Sequence, residues 1–201
     1  NVKKDVFYSK GYKFNSCLER ALFEEDVDRA VYDNLLSSVE KSFPAMHRYI
    51  ADRKRILGYD KLYFYDIYAP LVADVDFKMS YDDAYDYVIK GLAPLGKDYQ
   101  ALLKKGYDER WIDVEETEGK RSGAYSTGVT GVHPFVLLNY QPTLSDVFTI
   151  AHEMGHSLHT YFSAENQPYA KADYRIFVAE VASTVNEVLL LKYMYANAQD
   201  D

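Results

Sequence analysis

Val147, Ile150, Ala151, Met154 and Leu158 recur at helical spacing, so the stretch from Thr143 onward must turn one apolar face to a core. Inside that predicted helix stands His152-Glu153-Met154-Gly155-His156. Two histidines four residues apart share one helix face, about 6 Å apart along the axis. With five histidines and twelve glutamates in 201 residues, random placement gives about 0.007 occurrences of His-Glu-x-x-His. The plain alternative is a helix that carries surface histidines. Gly155 costs such a helix about 1 kcal/mol of propensity. A close approach by another backbone would account for it, and so would simple tolerance.

The rest of the chain is organised around that helix. Ser16 with Glu19, and Ser80 with Asp83, have the spacing of N-terminal caps. Apolar faces predict helices through Leu18, Leu22 and Phe23, from Val27 to Phe43, and from Pro44 to Leu57, with Pro44 separating the last two and Gly58 closing them. Tyr59 to Val75 reads as an aromatic connector. Further helices run through Tyr85, Val88, Ile89 and Leu92, and from Leu95 to a stop at Gly106. From Trp111 to Gln141 the helical period vanishes. Short strands are expected at Trp111–Val114, Gly123–Ser126 and Phe135–Tyr140. A last helix spans Tyr174 to Met194. The expected fold is therefore mainly α with a small β-sheet (α+β). Residues 1–110 form a helical subregion, 111–141 the β-element, and 142–201 the two site helices.

Composition excludes several functions. A net charge of −8 and a pI near 5.1 oppose nucleic-acid binding, which needs a basic face. The most apolar run, Val185 to Tyr195, contains Asn186, Glu187 and Lys192, so no membrane span is expected. Cys17 is the single cysteine, which rules out an internal disulfide and fits a reducing, cytoplasmic location. The chain opens Asn1-Val2-Lys3-Lys4 without an initiator Met and is read as a piece of something longer. Twenty tyrosines are read as aromatic packing and cleft lining.

His152 and His156 can converge on one tetrahedral Zn²⁺, with Glu153 turned to the flank where it reaches a water at the metal. A third ligand is still needed. A metzincin would carry Gly at 159 and His at 162, where this chain has His159 and Phe162. His159 is read as a packing or supporting residue. Glu180 lies in the apolar and small-residue stretch Ile176–Ser183, so its carboxylate is expected to be buried and in need of a partner. A surface glutamate is the alternative, yet no Lys or Arg lies three or four residues away to pair with it. Glu180 is taken as the third ligand. Glu187, two turns along the same face, is taken as an acceptor that orients a ligating histidine.

The segments His152–His159 and Phe177–Glu187, 24 residues between His156 and Glu180, resemble oligoendopeptidase F of the thimet oligopeptidase superfamily. Lys120–Ser126 and His133–Tyr140 resemble segments upstream of that family's zinc helix. The resemblance implies a zincin-like helical peptidase core with one Zn²⁺ per chain on His152, His156 and Glu180. Glu153 would be the general base for hydrolysis of oligopeptides. It also implies that the strand at Gly123, Ala124 and Tyr125 flanks the substrate. An ordinary strand with a glycine bulge explains that segment equally well. The family's oxyanion donors are expected beyond residue 201. Two alternatives stand beside the endopeptidase: a catalytically incomplete zinc- or peptide-binding piece, and a related zinc carboxypeptidase.

Overall fold

Among the described residues, four α-helices begin at a side-chain cap. In the computed structural model, which describes residues 1–72 and 77–198, the Ser16 hydroxyl accepts from the Glu19 amide at 3.0 Å. The Asn15 amide in turn donates to the Glu19 carboxylate at 2.8 Å. Ser80 and Thr143 likewise accept from the amides of Asp83 and Asp146. These caps satisfy amides that have no partner in a first helical turn.

The chain divides into two compact units, Asn1–Asp76 and Phe77–Asp201. The first holds helices Val2–Gly11 (α1), Cys17–Glu25 (α2) and Arg29–Ile56 (α3). Its sequence reading needs two corrections. α1 was not expected, because its apolar residues follow no helical period. Pro44 was expected to separate two helices but lies inside one 28-residue helix. Pro44 has no amide to offer the Glu40 carbonyl. Both residues are exposed, so water can take that acceptor and the helix continues. The expected connector contains a short 3-10 turn, Phe64–Tyr68. Buried Arg53 of α3 donates to the carbonyls of Asp66 and Ala69 at its end. Residues 73–75 of the connector lie outside the described residues.

The second unit contains Tyr81–Gly91 (α4), Lys97–Asp108 (α5), Leu144–Asn166 (α6) and Ile176–Asn197 (α7). Strands Ile112–Asp113 (β1), Tyr125–Thr127 (β2) and Phe135–Leu137 (β3) form one sheet in the order β1-β3-β2. β1 runs parallel to β3 and β2 antiparallel to it. The fold is thus mainly α with a small sheet. Gly123 lies outside β2 because its φ of +84° leaves the extended region.

All five apolar residues that define the α6 face are fully buried. They join Tyr85, Val88, Leu92, Leu103, Trp111 and Val136 in one core. Part of the tyrosine excess is spent here. Buried Tyr85 donates to the Leu103 carbonyl and Tyr140 to that of Met79, both at 2.9 Å. Others, such as Tyr65 and Tyr68, are exposed. Gly106 does not end α5. It sits inside the helix against Trp111, where a Cβ would lie 3.1 Å from the indole.

Gly155 decides how closely α6 meets α7. A Cβ there would stand 2.7 Å from the Ser183 Cα and 2.9 Å from the Ala182 carbonyl oxygen. Both are backbone atoms, so the neighbour cannot move aside without moving the helix. Close approach is the reason for the glycine. Gly155→Ala is therefore expected to destabilise the protein by about 1–3 kcal/mol, although alanine is the better helix former. Thermal unfolding of the two proteins side by side checks this, and a higher midpoint for the variant contradicts it.

Candidate metal centre

α6 and α7 bring six polar side chains to one place. On α6, His152 and His156 lie one turn apart with their Nε2 atoms 3.1 Å from each other. Glu180 of α7 closes the triangle, its Oε2 3.4 Å from His152 Nε2 and 3.3 Å from His156 Nε2. A tetrahedral ion with bonds of about 2.0–2.1 Å sets its ligand atoms about 3.3–3.4 Å apart. The three edges match that figure, and two imidazoles with a carboxylate suit a divalent ion. Among the described residues these three are the one group placed to hold a metal.

Each prospective ligand is held from behind. His152 shares its Nδ1 hydrogen bond with Glu187 Oε1 at 2.5 Å. A carboxylate there fixes the proton on Nδ1 and leaves the Nε2 lone pair free. The His156 ring donates to the Ala179 carbonyl. Burial pulls its pKa below the ordinary histidine value, which favours the neutral form a metal needs. The Ser183 hydroxyl donates to Glu180 Oε2 at 2.8 Å and, with the two histidines, draws that carboxyl below the usual range.

Glu153 is buried beside the triad, and its Oε2 has no hydrogen-bond partner. Burial pushes its pKa above the ordinary carboxylate value, against the pull of His152 and of the Ser126 amide. An unpartnered buried carboxylate oxygen costs free energy.

One expectation needs correcting. The Glu180 side chain is 55% exposed rather than buried. Ile176, Phe177, Val178 and Val181 of the same stretch are exposed as well, whereas Ala179 and Ser183 are buried. His159 stays apart from the triad. Its ring stacks on Tyr174 with centroids 3.7 Å apart, and its buried Nδ1 has no partner. Gly123 and Ala124 line a small cavity with Asn139 and Thr149, while Tyr125 is exposed on β2. Asn139 holds this turn by donating to the carbonyls of Arg121 and Gly123. A larger cavity, about 620 Å³, opens from Ser126 and Thr127 past Thr160 to Tyr174.

Sequence reasoning missed Ser183, Asn186, Ser126 and Ser157. Asn186, almost wholly buried, donates to the Ala151 carbonyl at 2.9 Å and accepts from Tyr99 at 3.0 Å. For Ser183 and Asn186, small polar residues in an apolar helix were the available signal, since a buried polar group must have a partner.

Known proteins match the chain over its whole length. The profile described as "Peptidase family M3" matches residues 1–201. "Oligopeptidase PepF" of Bacillus subtilis (strain 168) is 48% identical over 200 residues, covering 100% of this chain and 30% of its own length. "Oligoendopeptidase F homolog" of Lactococcus lactis subsp. lactis is 45% identical over 201 residues, covering 100% of this chain and 33% of its own. A crystal structure from Chlamydophila abortus superposes with a TM-score of 0.84 at 43% identity, over 99% of this chain and 33% of that one. The chain thus spans about a third of the length of these relatives.

The Glu187–His152 contact sets a quantitative expectation. Glu187→Gln keeps shape and hydrogen-bonding capacity but removes the charge that fixes the imidazole. It is expected to weaken divalent-metal affinity about 10–100-fold, measured by competition with a chromogenic chelator. Unchanged affinity would remove Glu187 from the centre.

Proposed function

The chain belongs to peptidase family M3, and from that premise we propose that it carries the metal site and catalytic carboxylate of a zinc-dependent endopeptidase acting on short peptides. The observation that supports this most is the near-equilateral triangle of His152, His156 and Glu180 with an unpartnered Glu153 oxygen beside it. The names of the relatives, an oligopeptidase and an oligoendopeptidase F homolog, favour oligopeptides as the substrate class. The single cysteine favours a cytoplasmic location. The whole chain is part of one catalytic domain, and its partner is the peptide itself.

In this reading His152, His156 and Glu180 hold one Zn²⁺. Zinc supplies Lewis-acid polarisation of a carbonyl and brings the pKa of a bound water to about 7. Glu153 takes a proton from the attacking water and passes it to the leaving amine. Its raised pKa suits both halves of that task, because a very weak base would not accept the proton. Glu187 keeps the His152 ring in its ligating tautomer, and the Ser183 hydroxyl keeps Glu180 aimed at the histidines. The substrate lies extended along the open edge of β2, beside Gly123, Ala124 and Tyr125. Main-chain hydrogen bonds to a strand edge bind peptides with little regard to sequence.

The deciding experiment is hydrolysis of internally quenched peptides by the full-length protein that contains this chain. Glu153→Gln is expected to lower turnover about 10²–10⁴-fold with zinc content unchanged, and a chelator should abolish turnover in the parent. Release of carboxyl-terminal residues one at a time would favour the carboxypeptidase. Full turnover by Glu153→Gln would sink the mechanism.

A further inference from the structure

β2 lies at the edge of the sheet, and its pairing fixes which residue faces outward. The amides of Val136 and Leu138 donate to the Trp111 and Asp113 carbonyls, on the β1 side. Phe135 and Leu137 therefore point their backbone groups at β2, where they oppose Thr127 and Tyr125. Ser126, between those two, turns its own N–H and C=O to the open edge. Its N–H is turned toward Glu153, which leaves its C=O as the backbone group that a peptide on β2 would meet.

The side chain of Ser126 points elsewhere. Its hydroxyl lies 2.8 Å from that of Ser157 on α6. Ser157 is fully buried and stands one helical turn beyond Glu153 on the same face. Glu153 and Ser157 thus bracket Ser126, one beside its backbone and one holding its side chain. The hydroxyl pair is a hydrogen bond between the short edge strand and the helix that carries the reacting carboxylate. The other ties on this three-residue strand are its pairing with β3, the Asn139 bond to the Gly123 carbonyl and the contact of Gly128 with Thr160.

We propose that Ser126 and Ser157 are positioning residues. Their hydroxyl pair fixes the open edge of β2 against α6, so that a peptide pairing at Ser126 presents one particular bond to Glu153. The inference rests on the reading of Glu153 as the base and of β2 as the substrate edge. Neither hydroxyl touches the reacting atoms. Loss of the pair should act through misplacement of β2, and a displacement near 1 Å at a reacting centre can cost up to about 100-fold in rate.

Two shape-matched variants test this in the full-length protein. Ser126→Thr keeps the hydroxyl, whereas Ser126→Val has the same outline and strand preference without it. The valine variant is expected to lose about tenfold in kcat/KM on a quenched peptide and to cut at bonds neighbouring the parent's site. The threonine variant should stay within about twofold of the parent at the parent's bond. Ser157→Ala should match the valine variant and add nothing to it in the double variant, as expected for two halves of one contact. Equal activity and equal cleavage sites for the threonine and valine variants would overturn the proposal. Hydrogen–deuterium exchange over residues 123–131 decides the point independently of catalysis. Faster exchange there in Ser126→Val than in Ser126→Thr supports the link, and identical exchange overturns it. If the parent cleaves no peptide, the endopeptidase reading fails, while the exchange result still judges the link.

Discussion

The approach of α6 to α7 at Gly155 is the constraint on which the rest of the site depends. Gly155 sits between the two histidines, and its missing side chain lets the Ser183 backbone come within contact distance. That contact lies between Glu180 and Glu187, three residues after the first and four before the second. Seating Ser183 on Gly155 therefore delivers both carboxylates to the histidines, Glu180 to the Nε2 pair and Glu187 to His152 Nδ1. Asn186 reinforces the placement by bonding the Ala151 carbonyl, one residue before His152. A ligand triangle near 3.3 Å on a side tolerates little relative movement of the helices. The packing at its centre is accordingly backbone against backbone.

Much of this was legible in the sequence for identifiable reasons. The caps at Ser16 and Ser80 were readable because capping is local chemistry at fixed spacing. The α6 core face was readable because five apolar residues repeat at helical period. The site histidines and their carboxylates were readable because metal binding admits few side chains and helix geometry fixes their spacing. The uninterrupted α3 and the buried Gly106 were not. A proline is tolerated in a helix when its neighbours face water, and a glycine mid-helix answers to whatever packs on it. Neither condition is written near the residue in the chain.

The hydroxyl pair of Ser126 and Ser157 was illegible for another reason. The residues are 31 positions apart, and serine is common in loops, strands and helices alike. Nothing in their local sequence marks them. They become informative once the order β1-β3-β2 leaves β2 at the edge and the α6 register puts Ser157 one turn from Glu153.

α7 shows why amphipathicity alone misreads such a centre. Its buried residues Ala179, Ser183, Asn186 and Leu190 recur every three or four positions. That stripe is half polar, while Val181, Val185, Val188 and Leu191 on other faces are exposed. The polar members of the buried stripe are held by hydrogen bonds. Ser183 holds Glu180, and Asn186 joins Ala151 to Tyr99. With partners supplied, a buried hydroxyl or amide loses most of the penalty of leaving water. The expectation that Glu180 would be buried failed because apolar neighbours in the sequence mark burial only along the stripe that packs, and Glu180 lies outside that stripe.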